Sequence, residues 1–410
     1  MADESVQGVD TLGSDDDRLG AVVDRLVRDG IQFGSSDIHF RRKSNGLLVR
    51  YRRDGVLHER GYILGSIQEG VIARLKTQSG MQVSEKRGPQ DGKITLNLSG
   101  EEHDLRVLCF PTFFGESVVI RVADKAAVHP SISNLDFDPE MFATFERLIA
   151  RQSGMVIVTG PGGSGKTSFL YSCLSKIDAQ KNHVVTVEDP IELLLPGATQ
   201  FCVNRRAGMT FAEVARSSLS LNPDILFVGE CRDMECAQIA ADAALTGRLV
   251  MTTMHMLDTP ATLRRLIDMG VSPSTIAAAV KGIVSLRLIR RLCPECKATA
   301  SFQDTAATLE KVRWLPAFQG CEIEDAPVLY RAVGCSECRQ TGYQGRIGLQ
   351  EVLACDSKLV TQLLQSGGAE EMRLRAVASG MRTLVADGVR KAIAGKTTIE
   401  ELLRATGSAI

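Results

Sequence analysis

The sequence predicts an α/β protein: a covered, mainly parallel sheet core, preceded by a small α+β domain and followed by a cysteine-bearing insert and a helical tail. Three observations predict it. Apolar runs at 155–159, 184–187, 225–228 and 249–253 are short, β-rich and bounded by Gly, Pro or a polar turn, as strands covered on both faces are. Residues 36–122 instead show short alternating strands, interrupted by a helical stretch at 67–80. A glycine-rich turn joins the first core run to a segment that can continue as a helix.

The 410 residues exceed one ordinary core, so two or three domains are expected. Hydrophobic residues at 44% and charged ones at 24% match a globular chain rather than a disordered one. Lys plus Arg (48) nearly cancels Asp plus Glu (49). With that balance, one Trp and five Tyr, the chain lacks the basic excess and the stacking surfaces of a nucleic-acid binder. No run approaches the roughly 20 apolar residues that cross a bilayer, and the N-terminus lacks a signal-peptide pattern. A cytoplasmic protein is expected. Eleven cysteines, an odd number without an export signal, point to reduced thiols and a metal rather than disulfides.

In chain order, residues 1–18 read as a disordered acidic tail ending in Asp15, Asp16 and Asp17. Leu19, Val22, Val23 and Leu26 have helical spacing and predict a short helix over 19–28. Strands at 38–40, 47–51, 94–98, 104–108 and 118–122 complete an α+β domain of 19–124. Residues 125–139, with two prolines and no periodicity, read as a linker. The core is placed at 140–288, the insert at 289–346 and the helical region at 347–410.

Gly160, Pro161, Gly162, Gly163, Ser164, Gly165, Lys166 and Thr167 match G-x-x-x-x-G-K-[ST] in full, and Ser168 continues the expected helix. Glycines let consecutive N–H groups turn inward around phosphate oxygens, and the helix N-terminus adds a favourable field. Lys166 should reach the β- and γ-phosphates of a nucleotide, and the Thr167 hydroxyl should ligate Mg²⁺. Residues 225–228 end in Gly229 and Glu230, a carboxylate at the C-terminal edge of a sheet strand, suited to activating water. Glu188 and Asp189 follow the 184–187 run and suit Mg²⁺ or its water shell. His255 follows 249–253; an isolated histidine is more often structural than catalytic. The residues by themselves define a P-loop NTPase.

These four segments resemble, in order and spacing, the Walker A, Asp box, Walker B and His box of the secretion ATPases that power type II secretion and type IV pilus assembly. Ser36-Asp37-Ile38-His39, the segment from Val49 to Val56, and Pro89-Gln90-Asp91-Gly92-Lys93 look like that family's N-terminal domain. Ala243-Ala244-Leu245-Thr246-Gly247 and Gly380-Met381-Arg382-Thr383-Leu384 look similar too, so the resemblance spans about residues 34–407. It implies a homo-hexameric ring in which a PAS-like domain precedes a RecA-like ATPase domain. It further implies Glu230 as the catalytic glutamate, Glu188 as the Asp-box acid and His255 as a functional histidine. Arg50, Arg52, Arg74 and Arg216 match cationic positions near the phosphates. The implied work is extrusion of pilin or pseudopilin subunits through an inner-membrane platform protein, at the cytoplasmic face of that membrane. A DNA-translocating ring, a pilus retraction motor and a non-hydrolysing scaffold are the competing functions. The chain departs from the pattern at Ser220, where a second arginine is usual, at Asn222 and at Cys231. It also has no counterpart of the extra N-terminal domain that many relatives use for docking.

Cys293, Cys296, Cys335 and Cys338 form two C-x-x-C pairs. Two such knuckles can close a tetrahedral Zn²⁺ site, whereas a redox role needs a thioredoxin-like context that is absent. Assembly-type members of the resembling family carry such a tetrad followed by Thr-Gly-Tyr-x-Gly-Arg, found here at Thr341 to Arg346, and retraction motors typically lack it. Cys109, Cys173, Cys202, Cys236, Cys321 and Cys355 read as packing residues.

Overall fold

The structure, a computed structural model, describes residues 15–407 apart from 65–66, 99, 123–135, 205–206, 314–326 and 367. The chain divides into two compact units, residues 1–127 and 128–410.

The first unit contains α1 (Asp15–Gln32), β1 (Asp37–Lys43), β2 (Gly46–Arg53), β3 (Val56–Ile63), α2 (Ile67–Gln78), β4 (Gln90–Leu98), β5 (Glu101–Thr112) and β6 (Gly115–Val122). Its six strands form one sheet in the order β3-β2-β1-β6-β5-β4, and every neighbouring pair is antiparallel. Val23 and Val27 from α1 and Val71 and Leu75 from α2 are buried with Phe40, Leu47, Leu105 and Ile120 from the strands. Two expectations need correction. Helix α1 begins at Asp15, so the tail read over 1–18 is too long; residues 1–14 lie outside the described residues. Strand β3 was not foreseen, because His58, Glu59 and Arg60 break its apolar rhythm.

The second unit opens with α3 (Pro139–Ile149), β7 (Gly154–Thr159), α4 (Lys166–Leu174), β8 (Val184–Glu188), β9 (Thr199–Cys202), α5 (Phe211–Ser218), β10 (Ile225–Val228), α6 (Met234–Leu245) and β11 (Leu249–Met254). It continues with α7 (Thr259–Asp268), α8 (Pro273–Ala279), β12 (Val280–Leu292), β13 (Ala298–Thr299), α9 (Phe302–Arg313), β14 (Tyr330–Arg331) and β15 (Tyr343–Ala354). Four helices close it: α10 (Ser357–Leu364), α11 (Ala369–Ala378), α12 (Leu384–Ile393) and α13 (Ile399–Thr406). Seven strands form the central sheet in the order β15-β12-β7-β11-β10-β8-β9. All neighbours are parallel except β15, which runs antiparallel to β12.

Strand β7 is buried on both faces, and its alternation assigns the two cores. Met155 and Ile157 face the cluster that includes Ala240 and Ala244 of α6, while Val156 and Val158 face Phe145 of α3 and Phe169 of α4. The expected boundaries at 288/289 and 346/347 both fall inside sheet strands, β12 and β15. Arg287, Arg290 and Arg291 on β12, and Arg346, Gln350 and Glu351 on β15, interrupted the apolar pattern that identifies a strand. The linker read over 125–139 lies mostly outside the described residues. Its end is anchored: Phe137 stacks on Phe169, and Asp138 caps α3.

Phe169 is fully buried and packs on Phe137 and Phe145 directly behind the glycine-rich turn. Phe169→Ala should lower the unfolding free energy of this unit by about 3–5 kcal/mol, read from a denaturant titration.

Candidate active site

Strand β7 ends at Thr159, the chain turns through Gly160–Gly165, and α4 starts at Lys166. Two glycines are required there. A Cβ on Gly160 would lie 2.5 Å from the Leu286 carbonyl, and Gly165 takes φ 89° at the helix N-cap. Around this turn is a cavity of about 390 Å³ lined by Gly162, Gly163, Ser164, Gly165, Lys166, Thr167 and Ser168. Glu188, Asp189, Glu192, Glu230, His255 and Arg346 complete its polar wall.

Lys166 is only 7% exposed. Its ammonium donates to the Gly160 and Pro161 carbonyls at 2.8 and 2.9 Å and lies 3.3 Å from His255 Nδ1. Burial pulls its pKa down to about 8; Glu230 opposes the shift and Arg287 adds to it. His255 Nε2 lies 3.1 Å from Glu230 Oε1, and Arg232 holds Glu230 Oε2 at 2.5 Å. One imidazole therefore spans the lysine and the glutamate. Arg232 has its pKa raised by that bond to Glu230. The Ser164 hydroxyl is buried without a hydrogen-bond partner, an orphan that a phosphate oxygen would satisfy.

The structure distributes the other expected residues unevenly. Glu188 lines the cavity but is only 2% exposed, and its carboxylate accepts from Tyr171, from Thr186 at 2.6 Å and from Gln200 at 3.1 Å. Asp189 beside it is exposed. Arg216 lies outside the cavity lining and pairs with Glu235 on α6 at 2.6 Å. Arg50, Arg52 and Arg74 belong to the first unit, where Arg52 donates to the Gly55 carbonyl and Arg74 is exposed on α2. Among the described residues of the second unit, Arg346 lines this cavity and Arg232 holds its Glu230. Arg232 could have been found from its position two residues beyond Glu230. Arg346 could not, because only the pairing of β15 with β12 carries it to the sheet edge. Glu192 had a weaker signal, as a further acid past Pro190.

The four cysteines of the tetrad converge, with all sulfurs within 4.8 Å of one another. A tetrahedron with metal–sulfur bonds of about 2.3 Å has sulfur–sulfur edges of about 3.8 Å. The Cys293–Cys335, Cys296–Cys338 and Cys335–Cys338 separations are 3.9, 3.8 and 3.7 Å. Backbone N–H groups of Gly334, Cys335 and Gly342 point at these sulfurs. Burial would raise the Cys338 thiol, but the N–H groups of Cys335 and Gly342 outweigh it and bring it down to about 6, toward the thiolate that binds metal. The donor set fits a structural Zn²⁺ and leaves no open position. Of the cysteines read as packing residues, Cys109, Cys173, Cys236 and Cys355 are buried; Cys202 is exposed, and Cys321 lies outside the described residues.

A doubly covered sheet whose strand ends gather a P-loop, a glutamate and a histidine defines a P-loop ATPase. Residues 13–404 match the family model described as type II/IV secretion system protein. The chain is 39% identical over 388 residues to the type II secretion system protein HxcR of Pseudomonas aeruginosa, covering 95% of this chain and 77% of that protein. It is 38% identical over 392 residues to the type IV pilus assembly ATPase TfpB of Acinetobacter baylyi, covering 95% and 66%. The fold is shared with the ATPase DotB of Legionella pneumophila at a TM-score of 0.67 and 19% identity, covering 95% and 96% of the two chains. This chain belongs to the type II/IV secretion system protein family. Among the described residues no helix is long and apolar enough to cross a membrane.

The lowered Lys166 pKa has two consequences of opposite sign. ATP affinity of the free protein should decline as pH rises through about 8, because the neutral amine no longer attracts phosphate. Stability without nucleotide should rise between about pH 8 and the ordinary lysine pKa, where the unfolded chain binds the extra proton. Nucleotide titrations and melting curves from pH 7 to 10 read both; affinity constant across that range would contradict the assignment.

Proposed function

We propose that this chain is the ATP-hydrolysing subunit of a hexameric ring motor that drives assembly or export of pilin-like subunits. The machine is a bacterial secretion or type IV pilus system, and the motor acts through an inner-membrane platform protein at its cytoplasmic face. The observation that carries the reading is the contact series Lys166–His255–Glu230 on one wall of the P-loop cavity. Family membership supplies the machine, and the site supplies the chemistry.

In this reading the N–H groups of the 160–165 turn and Lys166 hold the phosphates, and charged phosphate oxygens displace the neutral carbonyls that Lys166 now contacts. The Thr167 hydroxyl would hold Mg²⁺, which would supply charge neutralisation for the phosphates. Asp189 and Glu192 line the cavity where they would hold its water ligands, while Glu188 fixes the strand end on which Asp189 sits. Glu230 accepts the proton of the attacking water. Both its oxygens already accept a bond, from His255 and Arg232, and each keeps a second lone pair for that water. Arg346 provides positive charge in the cavity lining. The cysteine tetrad holds Zn²⁺ as a structural clasp, the pattern of assembly rather than retraction motors.

Glu230→Gln should keep ATP binding and lower the hydrolysis rate by about 10²–10⁴-fold. Wild-type turnover in that variant would remove the catalytic assignment. For the clasp, Cys338→Ser should reduce bound zinc, measured by elemental analysis, from about one ion per chain to well below that, with a lower melting temperature. A purified wild-type chain free of zinc and unaffected by chelators would refute it.

A further inference from the structure

We propose that Arg287 is a positioning residue for ATP hydrolysis, clamping the loop that carries His255 onto the floor of the phosphate-binding turn. The inference rests on the catalytic reading of His255 and Glu230 above. Strand β12 lies beside β7, with Ser285 opposite Thr159, so Arg287 projects just beyond the point where the glycine-rich turn begins. Its Nη1 donates to the Leu286 carbonyl at 2.9 Å and would sit 3.2 Å from a Cβ on Gly160. Its Nη2 donates to the carbonyl of Leu257, two residues past His255.

At Leu257 itself the loop has few other anchors. The Leu257 side chain is 72% exposed, so apolar packing holds the loop through Met256 and not at Leu257. Other bonds run from Met256 N–H to the Thr159 hydroxyl at 3.1 Å, from that hydroxyl to the Met254 and Met256 carbonyls at 3.2 and 3.5 Å, and from the Ser285 hydroxyl to Leu257 O at 3.4 Å. Arg287 supplies the charged bond of the set, from a residue only 7% exposed. Burial disfavours its charge, and the carboxylates of Asp258 and Glu351 offset that cost. An aliphatic side chain would occupy this strand position without burying a cation. The guanidinium is not part of the cavity lining, so its effect on chemistry passes through the backbone at Leu257 and the ring of His255.

The test compares Arg287→Lys and Arg287→Met with the wild-type full chain. The readouts are steady-state hydrolysis, equilibrium binding of a fluorescent ATP analogue, and thermal melting. Lysine keeps the charge but cannot span both carbonyls, so R287K should lose about tenfold in kcat and R287M about 100-fold, with Kd changing less than about threefold. A wild-type kcat in R287K overturns the clamp, as does a fall in ATP affinity that matches the fall in kcat. R287K decides the matter even where R287M fails to fold. Failure of the clamp leaves the E230Q result untouched, so the two assignments are separable.

Discussion

Parallel pairing of β7, β11, β10 and β8 puts four strand ends on one edge of one sheet, and the site exists because of that constraint. The register aligns Thr159 with Met254, and Val228 with both Thr252 and Val187. The residues that follow are then the turn at Gly160, His255, Glu230 and Glu188, contributed by segments far apart in sequence. A one-residue slip in any pair would exchange the faces of the strand and send its terminal side chain to the wrong side. Burial on both faces opposes such slips, since Met155 and Ile157 belong to one core and Val156 and Val158 to the other. The precision of the site is thus inherited from core packing rather than from the loops.

Electrostatically, the site stores an imbalance. Lys166 and Arg287 are both buried cations whose charged forms are disfavoured by desolvation, and Arg287 adds to the shift at Lys166. Glu230 supplies the principal opposing charge for Lys166, but it is shared with His255 and Arg232. At the turn itself Lys166 contacts only neutral carbonyls and the imidazole, so phosphate oxygens would give its ammonium a charged partner. Binding then stabilises the folded state by mass action, and the desolvated Lys166 ammonium acts on the phosphate at a low effective dielectric.

The sequence made the chemistry more legible than the boundaries. Gly160 through Thr167 could be read because every requirement, left-handed glycines, a lysine and a hydroxyl, maps to a residue type. Glu230 and His255 were legible as strand-end residues once the apolar runs were seen. The misreadings arose where sheet strands carry charge: β12 holds three arginines, and β15 holds Arg346 and Glu351, so neither resembles a buried strand locally. Those charges find partners only in the folded chain. Glu401 takes Arg290 at 2.5 Å, and the Arg290 guanidinium also covers the Tyr343 ring. Arg216 is a different case. Its position on α5 was readable, but its partner Glu235 sits on α6, and helix facing is set by packing that a linear pattern does not contain.

The C-terminal helices follow the same logic and are built into the core rather than appended to it. Glu351 on β15 is fully buried and accepts from Thr259 N at 2.9 Å, Thr259 Oγ1 at 2.7 Å and Leu384 N at 3.2 Å. It therefore joins the start of α7, four residues past His255, to the start of α12. Lys391 on α12 is also buried and donates to Gly348 O, Gln350 Oε1 and Asp387 Oδ2, all at 2.7 Å. Arg382 then ties the approach to α12 to Asp138 at the cap of α3. Buried polar contacts of this kind have little slack, because a broken one leaves an unpaired group in a low-dielectric interior. A shift of the His255 loop that moves Thr259 must either strain Glu351 or carry β15 and α12 with it. For a motor, carrying them is the useful alternative: close-packed elements move as bodies, so a small change at the γ-phosphate becomes a displacement at a surface distant from it.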